Sequence, residues 1–425
     1  MKKMLIENFV GYIIRRKNNS YLRFDPNTKC TLPALKDKTK PLMMYMHIPF
    51  CEELCTYCSF HRVEFRGDLA KDYFAALKKE LLMHKEWGHN FQGVYIGGGT
   101  PTVLMQELLD TISLLKELFP IKEISLETNP NHLDENHLEP LREIGVNRLS
   151  VGVQSFDDEI LKATGRYHKY GSGQEIISKI AEFSDYFPTF NVDMMFNFPI
   201  QKKESLMRDL GIIRKLQVSQ VTYYPLMISN STKKIIETSM GVVDNKRGRE
   251  FYGLISEMLE EDYQAATAWC FNRKNSGGTK GTSGQPLIDE YVVNYDDYAG
   301  VGSGSIGYLE GCIYANTFNI PEYIQKLNEG EFPVSARRDC NKKERLLYHF
   351  LMELFGLSMD LDAVSKKRGV NAALWLLPEI LFFKLIGGIE GNKIIKVKNR
   401  YYWVIMMREF FTSVNNFRDY CRRMS

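Results

Sequence analysis

The stretch Tyr45-Met-His-Ile-Pro-Phe-Cys51-Glu-Glu-Leu-Cys55-Thr-Tyr-Cys58-Ser-Phe60 decides how this chain is read. It places three of the eight cysteines within eight residues, directly after the apolar run Met43 to His47, which has the composition of a buried strand. Eight cysteines in 425 residues are too sparse for a disulfide scaffold, so the asymmetry points to metal ligation in a reducing cytoplasm. Thiolates are soft ligands that suit zinc or iron–sulfur clusters. A structural tetrahedral zinc requires a fourth ligand, for which His47 and His61 are the nearest candidates. Three cysteines around four irons instead leave one iron open to a further ligand. Cys30, Cys270, Cys312, Cys340 and Cys421 stand apart from one another and read as small buried or half-buried thiols.

From Pro41 to about Leu226 the sequence repeats one theme: an apolar run rich in β-formers, a loop, then a stretch with helical period. The strand candidates are Met43 to His47, Gly93 to Gly97, Glu123 to Glu127, Asn147 to Val153, Phe190 to Phe196 and Val221 to Leu226. Between them Leu69 to Lys85 and Glu107 to Leu118 carry amphipathic helical spacing. Alternating strand and helix imply parallel strands with right-handed crossovers. Six units fall short of a closed eight-unit barrel, so the expected fold is α/β: a partial, TIM-like (βα)6 barrel with its site at the C-terminal ends of the strands.

Beyond Asn230 the rhythm stops, and Asn272 to Pro286, rich in Gly, Ser and Lys, reads as a mobile loop. Helices around Lys342 to Phe355 and Met406 to Met424, with a β-wing at Ile394 to Val404, suggest a C-terminal α+β accessory domain. The expected division is an N-terminal segment 1–40, a barrel 41–235 and an accessory, substrate-binding region 236–425.

Fifty-five basic and 52 acidic residues give a net charge of +3 with no dense basic face, which argues against nucleic acid or an anionic membrane as partner. The N-terminal apolar stretch is interrupted by Glu7 and Asn8 and lacks a cleavage site, so no secretion signal is read. Ala372 to Ile386 contains Pro378, Glu379 and Lys384, falls short of the ~20 residues of a spanning helix, and reads as a buried helix pair.

The CxxxCxxC spacing, preceded by Tyr45-Met-His-Ile-Pro-Phe, resembles the radical S-adenosylmethionine (SAM) superfamily, in the branch of the oxygen-independent coproporphyrinogen III oxidases and their relatives. Further motifs follow in order at successive strand ends. Gly97-Gly98-Gly99-Thr100-Pro101 ends the second strand, where glycines let the backbone approach a ligand. Glu127 closes the third strand and Gln154 the fourth, polar groups that end apolar strands and point into a site. Arg166, in Thr-Gly-Arg-Tyr-His, and Asp193, in Asn-Val-Asp-Met-Met-Phe, match the next two family positions.

The resemblance implies that Cys51, Cys55 and Cys58 hold a [4Fe–4S] cluster, and that Gly98, Gly99, Thr100, Glu127, Gln154 and Asp193 meet SAM. It further implies that Arg166 pairs the SAM carboxylate while Tyr45 and Tyr57 line the SAM pocket. The electron would come from a flavodoxin- or ferredoxin-type donor. No residue is assigned as catalytic.

The chain also departs from its relatives. Phe60 stands where the oxidases proper carry a further cysteine. The haem-chaperone branch has that phenylalanine, but it carries His-Asn before a Gly-rich segment that ends in histidine; here Asn294-Tyr-Asp-Asp-Tyr298 lacks His-Asn and Ile306 replaces the histidine. In the oxidases an isoleucine at this position neighbours a second SAM, which makes Pro225 and Ile306 candidates for its wall. A tetrapyrrole substrate is expected first, either haem, methylated and opened, or a coproporphyrinogen-like compound, decarboxylated. Arg62, Arg66, Arg166, His61 and His168 would suit its propionates. The alternatives are a haem carrier that keeps cluster and SAM, a radical methyltransferase of another substrate, and a structural zinc protein.

Overall fold

The computed structural model describes residues 2–22, 30–274, 287, 288 and 291–424. Its centre is a run of six strands: β1 (Leu42–Ile48), β2 (Phe91–Gly98), β3 (Glu123–Thr128), β4 (Arg148–Gln154), β5 (Thr189–Phe196) and β6 (Gln220–Pro225). They lie side by side in chain order, each parallel to the next. Each strand is buried almost along its length, as β1 with Leu-Met-Met-Tyr-Met-His-Ile illustrates, because helices cover one face and the barrel interior the other. The crossovers include α2 (Gly67–Trp87), α3 (Met105–Leu118), α4 (Glu135–Glu143), α5 (Gly173–Phe183) and α6 (Lys203–Leu216), preceded in the chain by α1 (Lys2–Tyr21). All six expected strands are present, with Leu226 falling just outside β6.

The sheet continues past both edges. β7 (Tyr263–Ala265) and β8 (Cys270–Arg273) extend it antiparallel beyond β6. On the other side β9 (Tyr298–Val301) runs parallel to β1, followed by antiparallel β10 (Ile306–Leu309), β11 (Cys312–Asn316) and β12 (Val334–Asp339). Among the described residues the result is one mixed sheet of twelve strands, ordered β12-β11-β10-β9-β1-β2-β3-β4-β5-β6-β8-β7. Strands from the C-terminal half therefore build both edges of the barrel sheet.

Three local expectations change. Asn272 and Arg273, read as loop, end β8, and residues 275–286 of that stretch lie outside the described residues. The wing is a strand only over Ile394–Val397, paired with Ser358–Asp360 and Ile389–Glu390. From Arg400 the chain is already helical. Asn399 Oδ1 accepts from the Tyr401 backbone amide at 3.2 Å, and the β-formers Tyr401, Tyr402, Trp403 and Val404 are buried as helix, so tertiary burial overrides their strand preference. The stretch expected as a buried pair forms two helices, Ala372–Trp375 and Leu377–Leu385. Only the stripe Ala372, Leu376, Ile380 and Phe383 is buried, while Leu385 is 87% exposed, because one face alone meets the core.

The C-terminal region is tied down by α7 (Lys342–Phe355) and α8 (Arg400–Met424). α1 packs along α8, with Arg15 Nε donating to Glu409 at 2.8 Å. Among the described residues no helix is long and apolar enough to cross a membrane.

Candidate cofactor site at the barrel mouth

The cysteine loop leaves β1 at the C-terminal end of the sheet. It is held from below by a short ladder in which Phe50–Cys51 pairs with Val63–Glu64. Cys51 is buried and its thiol is pushed up to about 11, first by burial and then by the nearby Cys58, with the Thr100 hydroxyl and Lys169 opposing and Cys55 adding further. Cys58 is raised mainly by burial, with Cys55 contributing and Arg62 opposing. The three thiols thus sense one another. Among the described residues no three His, Cys, Asp or Glu groups converge on a single metal ion. A four-iron cluster takes one thiolate per iron, so its ligands surround a body and not a point.

The end of β2 lies against this loop. Thr100 N donates to Phe50 O at 2.7 Å, and the Thr100 hydroxyl reaches Cys51 Sγ at 3.7 Å. A Cβ on Gly99 would sit 2.5 Å from Phe50 O, so only glycine permits this approach; Gly98 adopts φ +124°, the region that favours glycine. Glu127 accepts from Gly98 N at 3.0 Å and from the Tyr95 hydroxyl at 2.7 Å, so its half-buried carboxylate fixes the glycine strand end.

Arg166 closes the other side. It is buried, donates to Gly152 O and, at 3.2 Å, to Asn129 Oδ1, and reaches Cys55 Sγ at 3.5 Å. Its Nε is buried without a partner among the described residues. Asn129 in turn donates to the Thr100 hydroxyl at 2.9 Å, so one amide joins the glycine strand end to the arginine. Asn129 lies in the motif Ser-Leu-Glu-Thr-Asn-Pro, two positions after Glu127, and sequence reasoning passed over it. Gln154 adopts φ 77° at a register shift between β4 and β5. Ser155 and the Phe156 amide, just beyond it, are anchored on buried Asp209. Asp193 accepts from Ser150 and Asn191, both at 2.8 Å, inside the barrel.

Tyr45 donates to His47 Nδ1 at 2.8 Å, which the neutral ring permits because its Nε2–H donates to His61 O at 2.8 Å. Burial pulls His47 down to about 3. Tyr45 also stacks on Tyr291 at 5.9 Å, and Tyr57 packs edge-on against Phe198. Pro225 ends β6 and Ile306 begins β10, at well-separated places in the sheet. Of the expected cations, Arg62 donates to Cys55 O at 2.6 Å, and burial holds His61 well below its usual range. Arg166 and Arg62 therefore face the cysteine loop.

The loop fits an anionic iron–sulfur group. Its thiols are mutually close, and two buried guanidinium Nε donors, of Arg166 and Arg62, stand beside them with no partner among the described residues.

Residues 45–211 match the model of the Radical SAM superfamily, so the chain carries a radical SAM domain; membership implies a [4Fe–4S] cluster and SAM. The chain is similar both to proteins named oxygen-independent coproporphyrinogen III oxidase and to proteins named heme chaperone. The chain is 28% identical over 341 residues to the Bacillus subtilis (strain 168) protein named Heme chaperone HemW, covering 76% of this chain and 85% of that one. It is 26% identical over 304 residues to the anaerobilin synthase of Escherichia coli O157:H7, covering 69% and 66%. Its fold is that of the solved coproporphyrinogen III oxidase (HemN) from Escherichia coli, at TM-score 0.72 and 20% identity over 89% of this chain and 91% of that one.

Proposed function

We propose that the chain is a radical SAM enzyme that acts on a tetrapyrrole. The observation that carries this reading is the cysteine loop clamped between Gly98–Thr100 and Arg166 at the strand ends. Cys51, Cys55 and Cys58 would hold the cluster, and Gly98, Gly99, Thr100, Glu127, Gln154 and Asp193 would surround SAM. Reduced by a flavodoxin- or ferredoxin-type donor, the bound cofactors supply a cleavage of SAM to methionine and a 5′-deoxyadenosyl radical. The chain's own part is placement and exclusion of water. Arg166 and Arg62 balance the charge of the thiolate loop, Tyr45 and Tyr57 wall the pocket, and the His47 bonds fix the Tyr45 ring.

Phe60, which stands where the oxidases proper carry a further cysteine, favours haem, by methyl transfer with ring opening, over decarboxylation of a coproporphyrinogen, and the likeness to a protein named anaerobilin synthase supports a tetrapyrrole. Pro225 and Ile306 remain the proposed wall of a second SAM site. A second reading, a haem carrier that keeps cluster and SAM, is favoured by the likeness to a haem chaperone.

The test is anaerobic reconstitution with iron and sulfide, reduction with dithionite, and assay of SAM conversion with and without haem. Haem-stimulated formation of 5′-deoxyadenosine or S-adenosylhomocysteine is the expected result, the latter marking methyl transfer. Haem binding without turnover favours the carrier, and bound zinc in place of a cluster overturns both.

A further inference from the structure

The C-terminal turns of α8 present three distinct faces. At about 100° per residue, Asn416 and Asp419 share one side, Phe417 and Cys421 a second, and Asn415, Arg418 and Arg422 a third. The first side docks on the loop after β6: Asn416 Oδ1 accepts from Asn230 N at 2.9 Å, and Asp419 accepts from Ser231 N at 2.9 Å and Ser231 Oγ at 2.8 Å. The second packs with Phe318, Ala315, Ala336 and Ile306, on the β10–β12 side. These two docking surfaces belong to opposite ends of the barrel sheet, so the helix bridges its open side. Tyr420, 55% exposed, marks the solvent side, and the Arg418 face lies opposite it.

Arg418 is only 7% exposed. Its guanidinium lies 5.0 Å over the Phe60 ring, and its charge is felt at Cys58, Tyr45 and Tyr291, which places it above the cysteine loop. It makes one hydrogen bond among the described residues, from Nη1 to Asn415 Oδ1 at 2.8 Å, and its Nε is buried without a partner. No Asp or Glu of the described residues forms an ion pair with it. A buried guanidinium with an open Nε–Nη2 edge is costly unless an anion completes it, and that edge matches a carboxylate bidentately. Of the groups that the sequence offered for this task, Arg62, Arg66, Arg166, His61 and His168, both Arg62 and Arg166 are turned to the cysteine loop instead.

We infer that Arg418 receives a carboxylate side chain of the substrate above the cluster loop, with Phe60 beneath the guanidinium. This rests on the tetrapyrrole reading and specifies it: the substrate is an acid whose carboxylate contributes to binding. Arg418 is a binding residue, distinct from the groups that surround SAM.

The test titrates the reconstituted protein with haem and with haem dimethyl ester, followed by Soret absorbance, for wild type, Arg418→Gln and Arg418→Lys. Wild type is expected to bind the acid at least tenfold more tightly than the ester. Arg418→Gln should bind acid and ester alike at the ester's level, and Arg418→Lys should recover part of the preference, with cluster absorbance and SAM affinity unchanged. Equal binding of acid and ester by wild type, or a loss of SAM affinity in Arg418→Gln, overturns the inference and leaves the tetrapyrrole reading standing. Binding of neither by wild type removes both. Should Arg418→Gln fail to retain its cluster, the wild-type ratio and Arg418→Lys decide.

Discussion

The two walls of the barrel mouth are assembled on different scales. On the cysteine side the groups arrive at strand ends or in the connection that follows, and neighbouring βα units bond to one another: Glu127 to Gly98, Asn129 to Thr100, and Arg166, in the β4–β5 connection, to Gly152. On the helix side the groups arrive from far along the chain, as Asp419 on Ser231 and Arg418 over Phe60 show. The first wall is a property of consecutive βα units, whereas the second exists only once the two sheet edges and α8 have met. A site with both can hold its cofactors by local order and its substrate by long-range closure.

Breaking the first wall should have the largest effect. Cys55→Ala is expected to abolish cluster absorbance and SAM cleavage together, and retention of either counts heavily against the proposed cluster. Gly99→Ala brings a methyl against the Phe50 carbonyl, so a destabilisation of ~1–3 kcal/mol is expected, with reduced cluster occupancy at equal iron loading. Thermal melts and iron content read both.

Loosening the second wall should leave the first intact. Asp419→Ala removes the acceptor of two Ser231 bonds, a loss of about 1–3 kcal/mol confined to the docking of α8. Hydrogen exchange should accelerate in residues 415–424 and haem affinity should fall, with cluster absorbance unchanged; equal loss of both would show that the walls are one unit.

The smallest effect concerns pH. Burial pushes Asp209 up to about 7, above its unfolded value near 3.8, against the pull of Ser155 and the Phe156 amide. A carboxyl raised on folding contributes stability that is present below pH ~4 and lost as pH rises through about 7. The stability cost of Asp209→Asn should therefore be larger at pH 5 than at pH 8, by roughly 1–3 kcal/mol, as melts at the two pH values would show. A pH-independent cost would mean that Asp209 is ionised throughout and serves the Gln154 turn as an acceptor only.

What was legible in the sequence follows the same division. The six parallel strands and the motif at each strand end could be read because period and motif share one short window, as with β1 and Cys51 to Cys58. β9 to β12 were not, since four- to six-residue strands next to a Gly-rich segment carry little period. Tyr401 to Val404 misled because β-formers report burial as readily as strand. Asn129 stands two positions after Glu127, close enough to a legible strand end to be found from sequence, whereas nothing near Arg418 in sequence distinguishes it from the neighbouring Arg422 and Arg423. Only the docking of α8 separates them.

That docking also sets a dimension. Because opposite faces of the same few turns of α8 touch the β6 loop and the β10–β12 edge, the gap at that level is one helix wide, on the order of 10 Å. The helix works as a gauge block wedged between two jaws: the sheet can neither flatten nor curl further there without expelling it. The separation of the two sheet sides is thereby calibrated by a backbone cylinder whose diameter hardly varies, and side-chain changes on the inward face of α8 alter the surface it presents without altering that separation.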